Sequence, residues 1–247
     1  MVKAHLLCAL LPLCACTIYT LPDLDTAGSS STGTSTDPSA TTGDDPTTGA
    51  GVEAIEIDEA GPVKVPVGEI VTIGATVLDA DGLPVPAAAI AWTSSAELTL
   101  FADSTGALLG ISPGTAQLTA SVGGVASEPV TVEVVANVPP AATFAAVRTV
   151  TTARCALPGC HVDGVEPGDL RFDRDADDLW EELLEDAVQV AGLPRVTPGD
   201  PSESFLLHKL VQRSPAAGAQ MPIGATPIDA ASAQVILRWI LAGASAQ

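Results

Sequence analysis

The chain has 247 residues, with 30 Asp and Glu against 10 Lys and Arg, so its formal net charge at pH 7 is -20. Such acidity repels phosphate backbones and excludes nucleic-acid binding through basic patches. Aromatic residues make up only 3% of the chain, which is poor material for one large core. The cysteines form two distant groups, and the chain is therefore expected to combine unlike parts. They are Cys8, Cys14, Cys16, Cys155 and Cys160.

The N-terminus has the pattern of an exported protein. Lys3 precedes an apolar run over residues 4–15, which is shorter than the roughly 20 apolar residues of a membrane-spanning helix. A positive charge followed by a short apolar segment is typical of a secretory signal peptide. The segment Leu13-Cys14-Ala15-Cys16 resembles a bacterial lipobox. An ordinary signal peptide with unrelated cysteines remains the alternative.

The lipobox resemblance implies a signal peptide over residues 1–15, cleavage before Cys16 and lipid attachment to the Cys16 sulfur. The protein would then be held at a membrane of the cell envelope through its lipid anchor. Thr17 follows the cysteine, and in Gram-negative lipoproteins a residue other than Asp there implies sorting to the outer membrane, on either its periplasmic or its surface face. Residues 16–51 contain mostly Ser, Thr, Gly and Asp. They are predicted to form a disordered tether, because they cannot bury enough apolar surface to offset the entropy of ordering.

Residues 52–136 are predicted to form an all-β sandwich. Val130, Val132 and Val134 alternate with polar residues, and turn signals such as Asp81-Gly82 recur at short intervals. Short alternating strands with this spacing are typical of sandwiches. Gly123-Gly124 suits a tight hairpin that needs positive φ angles.

The order of short motifs in this region resembles a bacterial immunoglobulin-like domain of group 2. The motifs are Val67-Gly68-Glu69, Ala75-Thr76-Val77, Trp92-Thr93-Ser94-Ser95 and Gly114-Thr115-Ala116. The resemblance implies a sandwich without a disulfide, used as a spacer or, as in adhesins, for binding. Trp92 is expected to be a core residue rather than a binding platform.

Residues 141–247 change to helical periodicity, and four helices are predicted. The first ends near Arg154, the second carries an apolar stripe from Leu179 to Val188, and the third is opened by Asp200-Pro201 and continues to Val211. The fourth is opened by residues 226–229 and ends at Gly243. The expected fold class is multidomain, with the sandwich followed by a separate all-α domain.

Cys155 and Cys160, with His161 directly after the second cysteine, resemble the haem attachment motif of c-type cytochromes. Four residues separate the cysteines where the usual motif has two. The two thiols are predicted to form thioethers with haem, and His161 is predicted to be the proximal iron ligand. Met221, in a loop before the last helix, is predicted to be the distal ligand. His208 is favoured as a surface residue, with a substitute axial ligand as the alternative.

The arrangement from Phe144 to Gln247 resembles the monohaem cytochrome c-like domains of predicted myxobacterial and planctomycete lipoproteins. The resemblance implies one covalent haem c, a contact of the first and last helices through Phe144 and Trp239, and one-electron transfer with an unknown redox partner protein. It favours an electron carrier over a catalyst.

Other interpretations of the cysteines remain open. A disulfide between Cys155 and Cys160 is compatible with an oxidising envelope. A zinc site would need His161 and His208 as further ligands, and nucleophilic catalysis would need an orienting partner. The competing function is a surface interaction or adhesion lipoprotein, in which the sandwich binds a ligand and the helices form a disulfide-linked cap without haem.

Overall fold

The computed structural model describes residues 51–59, 61–86 and 89–247. The predicted signal peptide, the lipidation site Cys16 and nearly all of the predicted tether lie outside the described residues. The described residues belong to one compact unit. Within the described ranges, no helix has both the length and the apolar character needed to cross a membrane.

The first half of the described chain forms short strands, as its alternating pattern predicts. They are β1 (Ala54–Ile57), β2 (Val63–Pro66), β3 (Ile70–Thr72), β4 (Ala75–Leu78), β5 (Ala91–Ser94), β6 (Leu100–Ala102), β7 (Ala107–Gly110), β8 (Gly114–Val122), β9 (Val125–Ala126) and β10 (Val130–Val135).

The strands form a sandwich of two layers. One layer has the order β2-β10-β8-β5, with β9 attached to β8, and the other consists of β1-β4 and β3-β7-β6. Strand β2 runs parallel to β10, and the remaining pairs are antiparallel. Inward-facing residues of both layers share one core, which includes Ile55, Trp92 and Val132. The predicted sandwich is confirmed.

Three local predictions in the sandwich are confirmed as well. Val132 and Val134 of β10 are buried while the residues between and beside them are more exposed. Gly123 and Gly124 join β8 to β9 with φ angles of 58° and 94°. Trp92 is only 4% exposed, and is a core residue as predicted.

The second half contains four α-helices among the described residues: α1 (Phe144–Arg154), α2 (Ala176–Leu184), α3 (Phe205–Val211) and α4 (Ala230–Leu241). The predicted end of the first helix at Arg154 is confirmed. The predicted contact of Phe144 with Trp239 is also present, since their rings stack with centroids 5.3 Å apart.

Three helix boundaries differ from the predictions. Helix α2 stops at Leu184 because Glu185 is extended, and Val188, placed on the predicted stripe, is 62% exposed. After Asp200 the chain makes a 3₁₀ turn over Pro201–Glu203, and the extended Ser204 separates that turn from α3. Helix α4 begins after Asp229, whose side chain accepts a hydrogen bond from the Ser232 N–H.

The predicted separate all-α domain is wrong, because the helices pack on the outer face of the sandwich. Adjacent residues of β7 show this directly. Leu108 belongs to the core between the two sheets, while Leu109 on the opposite face belongs to the core formed with the helices. Phe101 and Ile111 join the same helical core. The molecule is therefore a β-sandwich that carries a helical cap, defined as residues 144–247.

Polar contacts from α4 fix the cap to the sandwich. The Arg238 Nε and the Gln234 Nε2 each donate to the Gly68 carbonyl at 2.8 Å, and Arg238 Nη2 lies 2.9 Å from the Glu69 carboxylate. At the start of the same helix, the Ala230 N–H donates to the Asp103 carboxylate at 2.9 Å. These contacts attach both ends of α4 to turns of the sandwich.

Candidate functional site

A tight turn at the end of α1 brings the predicted cysteine and histidine residues together. Cys155 caps the helix and donates its N–H to Thr151 O at 2.7 Å. The chain then folds back, so that the His161 N–H donates to Cys155 O at 3.1 Å. Cys155 and Cys160 are free thiols at the two ends of this turn. The turn places both thiols on one short loop closed by backbone hydrogen bonds.

The environment of Cys155 argues against a nucleophilic role. Burial raises the pKa of the Cys155 thiol to about 11, the neighbouring Cys160 adds to this, and Arg154 opposes it weakly. The thiolate is the nucleophilic form of cysteine. A buried thiol with so high a pKa is protonated at neutral pH.

The three other predicted ligands have specific partners. His161 Nδ1 lies 2.9 Å from Leu170 O, and its ring meets the edge of Phe172. His208 is 7% exposed, with Nε2 2.7 Å from Ser202 O, so the surface position predicted for it is wrong. Met221 is partly buried against the cap core.

The described residues do not form the zinc site considered above. Within the described parts of the chain, no group of three or more His, Cys, Asp or Glu is arranged to hold a metal ion, as the zinc interpretation requires. A cleft is lined in part by Arg154, whereas Cys155, Cys160, His161 and Met221 are not among its lining residues.

That cleft, of about 650 Å³, lies between the β5 and β6 edges of the sandwich and the helical cap. Trp92, Ser94 and Phe101 contribute to the sandwich side. Arg154, Arg213 and Ile228 contribute to the cap side. A cleft of this size falls within the range of about 300–1,000 Å³ that is typical of ligand sites.

The acidic groups of the cleft are engaged within the protein. Burial would raise the pKa of Asp103, but hydrogen bonds from Ala230 and Thr105 hold the pKa of that carboxyl below its usual range. Asp103 also accepts a bond from Ala107. Asp229 caps α4 and lies 3.8 Å from Arg154. Glu97, the third carboxylate of the lining, accepts a bond from the Arg213 backbone N–H at 3.0 Å. All three carboxylates are thus already provided with donors.

The arginines retain donor capacity. Arg213 Nη2 donates to Trp92 O, and its Nε lies 3.7 Å from the Glu97 carboxylate. Arg154 Nη2 donates to Pro227 O at 3.1 Å, while its Nε is buried without a hydrogen-bond partner among the described residues. The Arg154 and Arg213 side chains are 33% and 52% exposed, so their guanidinium groups, though not the buried Arg154 Nε, can donate to a ligand in the cleft.

The sequence did not indicate this cleft. Arg213 and Trp92 are separated by 121 positions, and no motif connects them. The sequence pattern predicts Trp92 only as a core residue. No motif indicates that this residue also borders a cleft.

Comparisons with known proteins give matches among solved structures. The sequence matches no protein-family model and no curated protein. Among solved structures, domains 5–6 of the S-layer protein SbsC are 26% identical, with a TM-score of 0.31, and the match covers 37% of this chain and 47% of that one. The Lin-41 filamin domain is 16% identical, with a TM-score of 0.27, and covers 36% of this chain and 98% of that one.

Two further similar structures are larger proteins. The Yersinia pseudotuberculosis adhesin InvE is 23% identical, with a TM-score of 0.24, over 34% of this chain and 26% of that one. A termite-gut xylanase that contains a bacterial Ig-like domain is 14% identical, with a TM-score of 0.23, over 39% of this chain and 24% of that one. The chain spans about half the length of the SbsC fragments it matches. At these TM-scores, none of the similarities carries an argument about function.

The assignment of the chain as a haem- and iron-binding cytochrome c is corrected. That assignment depended on a separate all-α domain, whereas the helices share a core with β6 and β7 of the sandwich. The individual roles assigned to Cys155, Cys160, His161 and Met221 toward one haem c stay untested predictions.

Proposed function

We propose that this chain is an interaction protein of the cell envelope that binds a ligand in the cleft between its sandwich and its helical cap. The cleft itself is the observation that carries the proposal. It combines apolar side chains, such as Phe101 and Ile228, with the guanidinium groups of Arg154 and Arg213. An apolar lining with a few convergent polar groups is typical of binding sites.

The envelope location rests on the N-terminal sequence. The signal-peptide pattern and the lipobox resemblance support export and a lipid anchor at Cys16, and Thr17 supports sorting to the outer membrane. A flexible tether of about 30 residues has a root-mean-square reach of roughly 30 Å. Such a tether lets the cleft reach partners beyond the immediate membrane surface.

The proposal includes a disulfide between Cys155 and Cys160 that closes the turn after α1. Their thiols lie on one short loop, held by the bond from His161 N–H to Cys155 O. Disulfides form and persist in oxidising compartments such as the bacterial periplasm. Arg154 lines the cleft and directly precedes this turn. The disulfide would therefore hold the turn in place beside a cleft residue.

The disulfide is tested by intact-mass measurement of the chain exported in a host that also makes the cytochrome maturation proteins. We expect a mass two hydrogen atoms below that of the reduced chain, because the oxidants of the envelope compartment remove two protons and two electrons when the disulfide forms. A thiol reductant should restore both hydrogen atoms, and Cys160→Ser should show no reducible bond. A mass increased by one covalent haem would contradict this part of the proposal and support the haem roles of the same cysteines.

The binding function is tested by blocking the cleft. Ala91 is exposed and lines the cleft, whereas Ala126 is exposed in β9 and is not among the cleft residues. We expect the immobilised protein to retain an envelope component of its own cell, and Ala91→Trp to reduce that retention at least tenfold. Ala126→Trp is the matched control and should retain the wild-type amount.

Unfolding midpoints in urea show whether both variants keep the fold. Equal retention by a folded Ala91→Trp variant and the wild type, or no retention by either, would overturn the binding proposal.

A further inference from the structure

Lys209 places an ammonium group inside the helical cap. All seven residues of α3 (Phe205–Val211) are buried, and Lys209 itself is only 8% exposed. Burying a charged group is unfavourable unless hydrogen bonds replace its hydration. The partners of this ammonium therefore indicate what it holds in place.

The ammonium binds the part of the chain that follows α3. Lys209 Nζ donates to Ala217 O at 3.0 Å and to Ala219 O, and it lies 5.9 Å from the centre of the Phe205 ring. Two carbonyls and an aromatic face are suitable partners for the three N–H donors of a lysine. Hydrogen bonds from a charged donor are stronger than those between neutral groups, so this one side chain is a strong anchor for the segment.

The anchored segment, residues 212–220, is called the cleft loop. It contains no helix or strand, and of its nine described residues only Pro215 is buried. Residues 216–219 are all Ala or Gly, whose side chains offer little surface for packing. The bonds from Lys209 therefore provide much of what fixes the middle of the loop.

Both ends of the cleft loop reach the cleft. Arg213 near its start and Gln220 at its end are lining residues. The Arg213 N–H donates to the Glu97 carboxylate of the sandwich at 3.0 Å. After the loop, the Met221 N–H donates to Lys209 O at 2.7 Å, so the chain returns to α3. The conformation of the loop thus determines where part of the cap side of the cleft lies.

We propose that Lys209 is a positioning residue of the cleft, whose ammonium holds the cleft loop in the conformation that places Arg213 and Gln220 on the cleft wall. Lys209 is not among the lining residues, so it acts through the loop and not on a ligand. The proposal rests on the proposed function for the role of the cleft, and adds the group that shapes this side of it.

Lys209→Met tests this role, because methionine is an unbranched side chain that lacks the ammonium. Replacing a buried ionic group by a well-packed apolar one is often neutral or stabilising for a fold, so the variant separates loop placement from overall stability. Lys209→Arg retains charged donors and is the conservative variant. Lys64→Met removes one charge from β2, where the side chain is 67% exposed, and is the matched control. All are made in the full chain with Cys16→Ser, which removes the predicted lipid attachment.

Hydrogen exchange at single backbone amides, followed by nuclear magnetic resonance, reports local opening of the loop. We expect Lys209→Met to speed exchange at Arg213 at least tenfold, because the released loop withdraws this amide from Glu97. Ser95, whose N–H is paired within the sandwich, should stay within about threefold of its wild-type rate. Lys64→Met should leave both rates unchanged, and Lys209→Arg should restore the Arg213 rate.

Faster exchange at Arg213 but not at Ser95, reversed by Lys209→Arg, supports the positioning role. An unchanged Arg213 rate in Lys209→Met, or no recovery in Lys209→Arg, overturns it. Equal acceleration at Ser95, or failure of Lys209→Met to fold, also overturns it, because Lys209 would then stabilise the whole fold.

The exchange rates are measured without a ligand, so they decide the role of Lys209 in the loop separately from the proposed function. No retention of an envelope component by the wild type would overturn the function, while the exchange rates would still decide what holds the loop. A Lys209→Met variant that releases Arg213 yet retains the wild-type amount of that component would contradict a positioning role in binding.

Discussion

Replacing Trp239 by alanine is expected to lower the free energy of unfolding by about 3–5 kcal/mol, and to destabilise the sandwich together with the cap. Trp239 is 1% exposed, stacks on Phe144, and donates its Nε1–H to Ser245 O at 2.7 Å. Its removal leaves a large cavity in the core of the cap. Because Phe101 and Leu109 of the sandwich belong to that same core, the loss extends to the strands.

The measurement is urea unfolding followed at separate amides of β10 and α1. A shared core predicts one cooperative transition at both, with the midpoint shifted equally by Trp239→Ala. Val188 is 62% exposed, and Val188→Ala is the control, with an expected change within about 0.5 kcal/mol. A sandwich that kept the wild-type midpoint while the helices unfolded would show two independent units instead.

Local features of the fold were predictable because their signals lie within a few residues. The alternation of Val132 and Val134 with polar neighbours indicates one buried face of a strand. The paired glycines at 123–124 indicate the turn that follows β8. The end of helix α1 at Arg154 could also be predicted from the local sequence.

The attachment of the cap was not predictable in this way. Residues 107–109 form a short apolar run in β7, with Leu108 and Leu109 both fully buried on opposite faces. A strand buried on both faces shows such a run instead of alternation, so the run indicates a covering layer. It does not identify which part of the chain forms that layer, since helices with apolar stripes can equally pack on one another.

The candidate site likewise has one part that the local sequence predicts and one part that it does not. The approach of Cys155 to Cys160 and His161 follows from a turn of adjacent residues, so sequence spacing predicted their proximity. The cleft depends on the edge position of β5 and on Arg213, which approaches Trp92 from the far end of the chain. Edge position is a property of the whole sheet order, which short motifs do not encode.

Gly68→Ala is expected to lower the free energy of unfolding by about 2–5 kcal/mol, from about 1–2 kcal/mol for a left-handed non-glycine residue and about 1–3 kcal/mol for overpacking. Gly68 has a φ of 73°, and an added Cβ would lie 2.5 Å from Pro139 Cγ and 2.7 Å from Pro139 Cβ. Its carbonyl also accepts bonds from Gln234 and Arg238 of α4. Displacement of this turn therefore loosens the cap as well as the sandwich.

Gly82→Ala separates the two contributions. Gly82 has the same φ of 73°, but an added Cβ there meets no atom within 4 Å. We expect it to cost only the backbone contribution of about 1–2 kcal/mol, so the difference between the two variants in urea unfolding measures the contact with Pro139 together with the bonds from α4 to the Gly68 carbonyl. Equal costs would contradict the close packing of Pro139 against Gly68. A larger cost at Gly68 that also weakens α4 would show that this turn holds the cap on the sandwich, because the two acceptor bonds at the Gly68 carbonyl are the feature that Gly82 lacks.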